Sequence, residues 1–275
     1  MKKKLHKKIV LLKTFADISY QSQKNYNLNF IFMIFGNLLG AVINYLIWYN
    51  VFLSSNTNNM NGYSLNEILP YYLLVTIVQL ILFQDTDFYV SKDIKDGNIV
   101  FSLTKPISFY LLNLSKTFGS ALFYVIYICS PIILLFLIYV IFFNIKLLNF
   151  AYFFLFFIST SCGFYIIFEF EYLFGLFSFI TMSNWGISKF KLLLIEFLSG
   201  SAIPIFMLPQ IFLNIVKCLP FYYSICFPVE ILLQKKSLNE ILFGLIIQIL
   251  WIILFHFLIK KIWNKVVHYI SINGG

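Results

Sequence analysis

Glu169 and Glu171 are the only charged residues in an apolar stretch that runs from about residue 150 to residue 188. A carboxylate held in hydrocarbon costs on the order of 3 kcal/mol on insertion scales, so it is neutralised by a proton, met by polar neighbours, or used to line a path for a polar solute. Two residues apart, the pair points to different sides of a helix and cannot serve one partner equally. Glu169 is therefore a candidate for a translocation pathway, with satisfaction by a proton or a neighbour as the alternative. Glu171 reads as protonated or satisfied by a neighbouring polar side chain. Glu196 lies close to Lys189 and Lys191 in sequence and reads as a solvated carboxylate paired with one of them. His256 reads as a packed or interfacial histidine, because no second titratable residue accompanies it on its apolar segment.

The other reactive side chains form no familiar catalytic pattern. The twelve glycines include no G-x-x-x-x-G-K-[ST] loop, so the chain has no phosphate cradle of that kind. His6, His256 and His268 make no H-E-x-x-H, and G-x-S-x-G does not occur. The spacing of Cys129, Cys162, Cys218 and Cys226 is not that of metal ligands, and only Cys218 and Cys226 are close enough in sequence to pair. The expectation is a chain that is not an enzyme, with no cofactor or metal of its own.

The elements that position these residues are membrane helices. Sixty per cent of the chain is hydrophobic, 11% is charged and mean hydropathy is +0.86, whereas an average soluble domain is about 25% charged. Runs of some twenty uncharged residues recur between Leu28 and Ile259, and about 20 residues of helix cross the ~30 Å of hydrocarbon in a bilayer. Backbone in lipid must satisfy its own hydrogen bonds, which here leaves helices. The predicted fold is an all-α membrane protein with six transmembrane helices. The spans fall at about residues 28–52, 65–89, 109–143 and 155–180, then from near Leu192, and last at about 238–262. The third is too long for one upright span and is tilted or begins as an interfacial segment. A turn is expected around residues 184–191, and Pro204 and Pro209 break the fifth span. Pro209, Pro220 and Pro228 remove backbone donors from residues 208–234, which predicts re-entrant or interfacial half-helices before the last span.

Residues 1–26 form a separate element ahead of the membrane domain of residues 27–275. Leu5, Ile9, Leu12, Ala16 and Tyr20 recur at helical spacing among lysines, as in an amphipathic helix lying on a membrane face. The apolar run from Ile9 to Leu12 is too short for a secretory signal. Gly36 and Gly40 form a G-x-x-x-G pair, which suits close packing inside the bundle or, alternatively, a dimer face.

All 20 basic residues are lysine and the formal net charge is +9. The lysines cluster beside apolar spans, where they set orientation and meet anionic lipid, so nucleic acid is not the expected partner. With the N-terminus inside and six spans, sixteen lysines fall inside and four, Lys146, Lys217, Lys235 and Lys236, outside. That asymmetry predicts both termini in the cytoplasm.

Two stretches carry a resemblance. Gly62, Tyr63, Ser64 and Leu65, the span after them, and then Asp93-Ile94-Lys95-Asp96-Gly97 leading to Leu103-Thr104-Lys105-Pro106 resemble the second span and first cytoplasmic loop of ABC-type-2 exporter permeases. Phe197-Leu198-Ser199-Gly200, Ile203-Pro204, Pro209, Leu219-Pro220-Phe221 and Pro228 follow the order of the proline-marked region in that family's small, six-span branch. Thr104 stands where a basic residue is expected, and Glu169 and Glu171 are outside the pattern. The resemblance implies a permease subunit that joins a second permease, identical or related, and two copies of a separate ATP-binding cassette subunit that carries the ATP and Mg. It also implies that residues 91–108, with Asp93, Lys95, Asp96, Gly97, Lys105 and Pro106, form the coupling loop on that ATPase. Abundant Lys, Asn, Ile and Phe, encodable by A/T-only codons, suggest an AT-rich genome and hence a bacterial cell membrane. The competing readings are a secondary transporter using Glu169, an intramembrane enzyme and a structural scaffold.

Overall fold

The computed structural model describes residues 2–24, 27–54, 59–60, 63–82, 85–143, 149–179, 181 and 185–267. Gly62, Lys146 and the turn residue Asn184 lie outside them. In chain order the elements are α1 (Lys2–Lys24), α2 (Asn27–Ser54), the two-residue strands β1 (Asn59–Met60) and β2 (Tyr63–Ser64), α3 (Leu65–Leu82), α4 (Thr86–Lys95), α5 (Ile99–Leu103), α6 (Phe109–Phe123) and α7 (Cys129–Phe142). They continue with α8 (Phe150–Leu176), α9 (Trp185–Leu198), α10 (Gln210–Val216), α11 (Pro220–Ser224), α12 (Cys226–Leu232) and α13 (Leu238–Val266). β1 and β2 pair antiparallel as a small hairpin; everything else is helix or connection.

Local chemistry sets the long helices. Ser108 accepts from the Leu111 amide at 3.3 Å to start α6, and Asn149 accepts from the Ala151 amide at 3.1 Å to start α8. Ser237 and Glu240 form a reciprocal capping box at the start of α13, meeting two amides that a helix start leaves without partners. Pro70 inside α3 cannot donate to the Asn66 carbonyl, and Tyr139 Oη donates to that oxygen at 3.0 Å instead. Between α6 and α7 the helix widens into a π turn at Tyr124–Ile128, just before Pro131 removes a further donor.

Among the described residues five helical stretches are long and apolar enough to cross a membrane: Ile31–Ser54, Leu65–Lys95, Phe109–Phe142, Phe150–Phe179 and Leu238–Val266. The expected fifth span is not a continuous helix. α9 starts at Trp185, so Lys191 lies within it and not in a turn, and its 14 residues rise about 21 Å, short of ~30 Å of hydrocarbon. Ion pairs show where this part of the chain begins and ends. Lys191 pairs with Asp87 at the start of α4, and Lys235 pairs with Glu67 at the start of α3, so residues 185–238 travel from one end of the bundle to the other in pieces. Below, the end that carries α1, α4 and Lys260 is the lysine-rich end, and the β1–β2 hairpin marks the far end.

The prolines explain the pieces. Pro204 precedes a single 3-10 turn, Pro209 is the residue before α10, Pro220 opens α11 and Pro228 stands third in α12. Each occupies a helix start, where an amide has no intrahelical acceptor and its loss costs little. α11 and α12 form a short helical pair wedged between α8 and α13. Glycine permits the fit: a Cβ at Gly163 would lie 2.6 Å from the Ser224 carbonyl, and one at Gly244 would lie 2.0 Å from the Phe227 ring. Gln248, fully buried on α13, closes this wedge by donating to the Tyr223 carbonyl at 2.6 Å and the Ser159 carbonyl at 3.0 Å. Gln248→Leu should leave the Tyr223 carbonyl unmet at about 1–3 kcal/mol, while Ser159 keeps its bond within α8; the readout is a detergent-state Tm below the parent.

α1 packs along α6 and does not merely rest on a membrane face. The crossing point is Gly119, where a Cβ would lie 2.1 Å from the Ala16 carbonyl. Ser19 and Ser120 hydroxyls meet at 2.8 Å beside it, and Tyr20 Oη reaches Tyr127 Oη at 3.3 Å. Gly119→Ala should push α1 off α6; a Ser19→Cys, Ser120→Cys pair that oxidises to a disulfide in the parent should fail to do so in that background.

Candidate functional site

The lysine-rich end carries the 91–108 loop. Asp85, with φ 51°, takes a left-handed conformation just before α4, and Gly97, with φ 72°, takes one just after it. Glycine meets that left-handed requirement without a Cβ penalty. Asp93 is tied to Lys116 of α6 at 3.3 Å, and the Lys105 ammonium sits 4.8 Å above the Phe15 ring of α1. Lys95, Asp96, Gly97 and Pro106 are exposed. α5 presents its apolar side outward: Ile99 and Ser102 are buried, while Val100, Leu103 and above all Phe101, 70% exposed, face away from the bundle.

Behind the loop lies a buried charge cluster. Lys191 Nζ donates to Asp87 Oδ1 at 2.7 Å and to Glu171 Oε1 at 3.2 Å; the lysine and both carboxylates have side chains no more than 4% exposed. Ser188 Oγ donates to Asp87 Oδ2 at 2.6 Å and the Thr86 amide to Glu171 Oε2 at 3.0 Å. Glu171 is thus satisfied by neighbours, through partners on α4 and α9. The reading of Glu196 as a partner of Lys191 is corrected: Lys191 turns to Asp87 and Glu171.

Glu169 is buried too, but it is met differently. Its Oε1 accepts from Tyr110 Oη at 2.8 Å and lies 3.0 Å from His256 Nδ1, while Oε2 has no partner among the described residues. His256 therefore has an ionisable neighbour, supplied by α8, and not the isolated packing read from its own segment. Its side chain is 56% exposed on the outside of α13. Both glutamates lie far along α8, which starts at Phe150; at about 1.5 Å per residue Glu169 is ~30 Å from that start. They sit near the lysine-rich end, not at mid-bundle.

A groove of about 980 Å³ runs along the bundle between α1, α3, α6, α7 and α8. Its wall extends from Leu111 to Leu137 and is mostly Leu, Ile and Phe; Lys13, Asp17 and Ser115 are polar exceptions, and Thr160 carries a buried hydroxyl without a partner. Glu169 does not line it. At the far end Glu230 accepts from Tyr222 Oη at 2.6 Å, pairs with Lys236 at 3.4 Å and accepts from Tyr63 Oη at 3.5 Å, the last contact tying α12 to the start of α3. Cys226 is buried against Tyr71 Oη, Cys218 is exposed, and they are unpaired.

Among the described residues nothing outside the adjoining backbone of α2 lies within 4 Å of where a Cβ at Gly36 or Gly40 would stand. The packing-within-the-bundle reading is corrected: that face of α2 is open, and only 6% of the apolar window of the helix is buried. Among the described residues no three His, Cys, Asp or Glu side chains are placed to hold a metal ion. Sequence reasoning missed the Lys191 cluster, the Gly119 crossing and the exposed Phe101; a lysine opening an apolar run was the one available signal for the first.

These features define a polytopic helical membrane protein with an apolar groove along its bundle and an exposed loop at one end. The family model for ABC-2 family transporter proteins matches residues 38–274. The chain belongs to that family, as a membrane subunit of the transporter and not its ATPase. No curated protein and no solved structure matches it.

Proposed function

We propose that this chain is the permease subunit of an ATP-driven exporter in the bacterial cell membrane, with the 91–108 loop seated on a separate ATP-binding cassette subunit. The outward apolar face of α5 carries the reading. A five-residue helix that buries Ile99 and Ser102 while exposing Val100, Phe101 and Leu103 presents an aromatic anchor rimmed by charges, as at protein interfaces. Two copies of that subunit supply ATP and Mg. A second permease, identical or related, covers the open face of α2 around Gly36 and Gly40. The apolar groove suits an amphiphile with a long hydrophobic part, moved as the two permeases change arrangement. Glu169, apart from the groove, serves to hold α8 to α6 and α13 through Tyr110 and His256.

Membranes co-expressing the chain with an ATP-binding cassette subunit from the same genome should yield a complex containing both; a permease that purifies alone with every such subunit under mild detergent would remove the reading. Both termini are cytoplasmic in this proposal. On intact cells an impermeant maleimide should label exposed Cys218, spare buried Cys226 and fail to reach a cysteine placed at Lys265. Labelling at position 265 with protection of Cys218 would invert the topology.

A further inference from the structure

We propose that Lys191, Asp87 and Glu171 form a transmission joint that fastens α4 to α8 and α9, so that displacement of the 91–108 loop is delivered to those two helices. This rests on the proposed coupling of the loop to an ATPase. Displacement of α4 can pass along the chain or across side-chain bonds. Toward α3 it runs through the left-handed residue Asp85, and such a residue is a point where backbone rotation is absorbed. Toward α8 and α9 it runs through four hydrogen bonds, all buried but the part-buried one from Ser188, three of them between α4 and its neighbours: Lys191 to Asp87, Ser188 to Asp87 and the Thr86 amide to Glu171. The fourth, Lys191 to Glu171, closes α9 onto α8. Bonds to ionised groups away from water are short and directional, so the three helix segments move together or not at all.

Packing reinforces the joint. A Cβ at Gly175 would lie 2.6 Å from Val90 Cβ and 3.3 Å from Asp87 Cα, so α4 and α8 touch without an intervening side chain. The Lys116–Asp93 pair and a buried Thr86–Thr117 hydroxyl contact at 3.0 Å also hold α4 to α6, but that lysine is 36% exposed, an ion pair in water is worth little, and neither hydroxyl is ionised. From Glu171 the path along α8 is short: Phe164, about two turns away, lines the groove, as do Thr160 and Phe156. α9, at the other side of Lys191, begins the passage of the chain that is made in pieces. Asp87 and Glu171 are thus positioning residues; neither lines the groove.

The test uses the permease–ATPase complex with Cys129, Cys162, Cys218 and Cys226 replaced by Ala and one cysteine at groove-lining Ser161. Maleimide labelling is followed with and without ATP plus orthovanadate. Glu171→Gln leaves Lys191 paired with Asp87, so folding and ATPase association should persist; the nucleotide-dependent change in labelling should fall from about tenfold in the parent to less than about twofold. If Glu171→Gln lowers the amount of folded protein, the neutral triple variant Asp87→Asn, Glu171→Gln, Lys191→Met replaces it and should likewise insert, bind the ATPase and fail to transmit. A parental response in either folded variant overturns the joint. A parent that carries no ATPase, or whose labelling ignores vanadate trapping, overturns the permease reading itself.

Discussion

Lys191→Met should be the most destabilising single substitution outside the apolar core. The methionine fills much the same volume, so packing survives while the ammonium that serves Asp87 at 2.7 Å and Glu171 at 3.2 Å is gone. Removing one member of a buried ion pair costs about 3–5 kcal/mol, because the partner charge stays buried without compensation; here two carboxylates are stranded. The expected result is a steep fall in membrane-inserted protein and in the detergent-state Tm. Neutral isosteres of a buried pair are often tolerated, so the Asp87→Asn, Glu171→Gln, Lys191→Met chain should recover most of the parental stability. A single Lys191→Met protein as abundant and heat-resistant as the parent would show that the three charges are not joined as the geometry has them.

The long spans were legible because their signal is simple: about 20 uncharged residues have few stable choices in lipid other than helix. Residues 185–238 were harder. Their prolines announced breaks, but where each short helix lies depends on contacts such as Gly163 with Ser224 and Gln248 with Tyr223, which join positions far apart in sequence. The partner of Lys191 was misread from proximity. Lys191 and Glu196 are five apart on α9 and so about 140° around the helix from one another, which already argued against the pair; the actual partners come from α4 and α8. The open face at Gly36 and Gly40 was undecidable from the motif, since close packing within one chain and between two chains asks for the same small residues. Phe101 was overlooked because a five-residue helix is too short for periodicity to reveal which side faces out.

Of the loop's charges, Asp93 already has Lys116 and is largely covered, and Asp96 is exposed just before Gly97. Exposed charges at the rim of an interface change association rate and salt dependence more than affinity. An exposed aromatic on a short helix whose other side is buried is the kind of residue that carries affinity, because its desolvation is recovered only in the partner's pocket. Phe101→Ala should therefore weaken association with the ATP-binding subunit by about 2 kcal/mol or more, roughly thirtyfold. Asp93→Ala with Asp96→Ala should cost less at physiological salt, and its effect should shrink further as salt rises. Binding of detergent-solubilised permease variants to the immobilised ATP-binding subunit, measured at two salt concentrations, separates the two. Equal affinity for Phe101→Ala and the parent, alongside a salt-resistant loss in the double aspartate variant, would move the anchor from α5 to the charged end of α4.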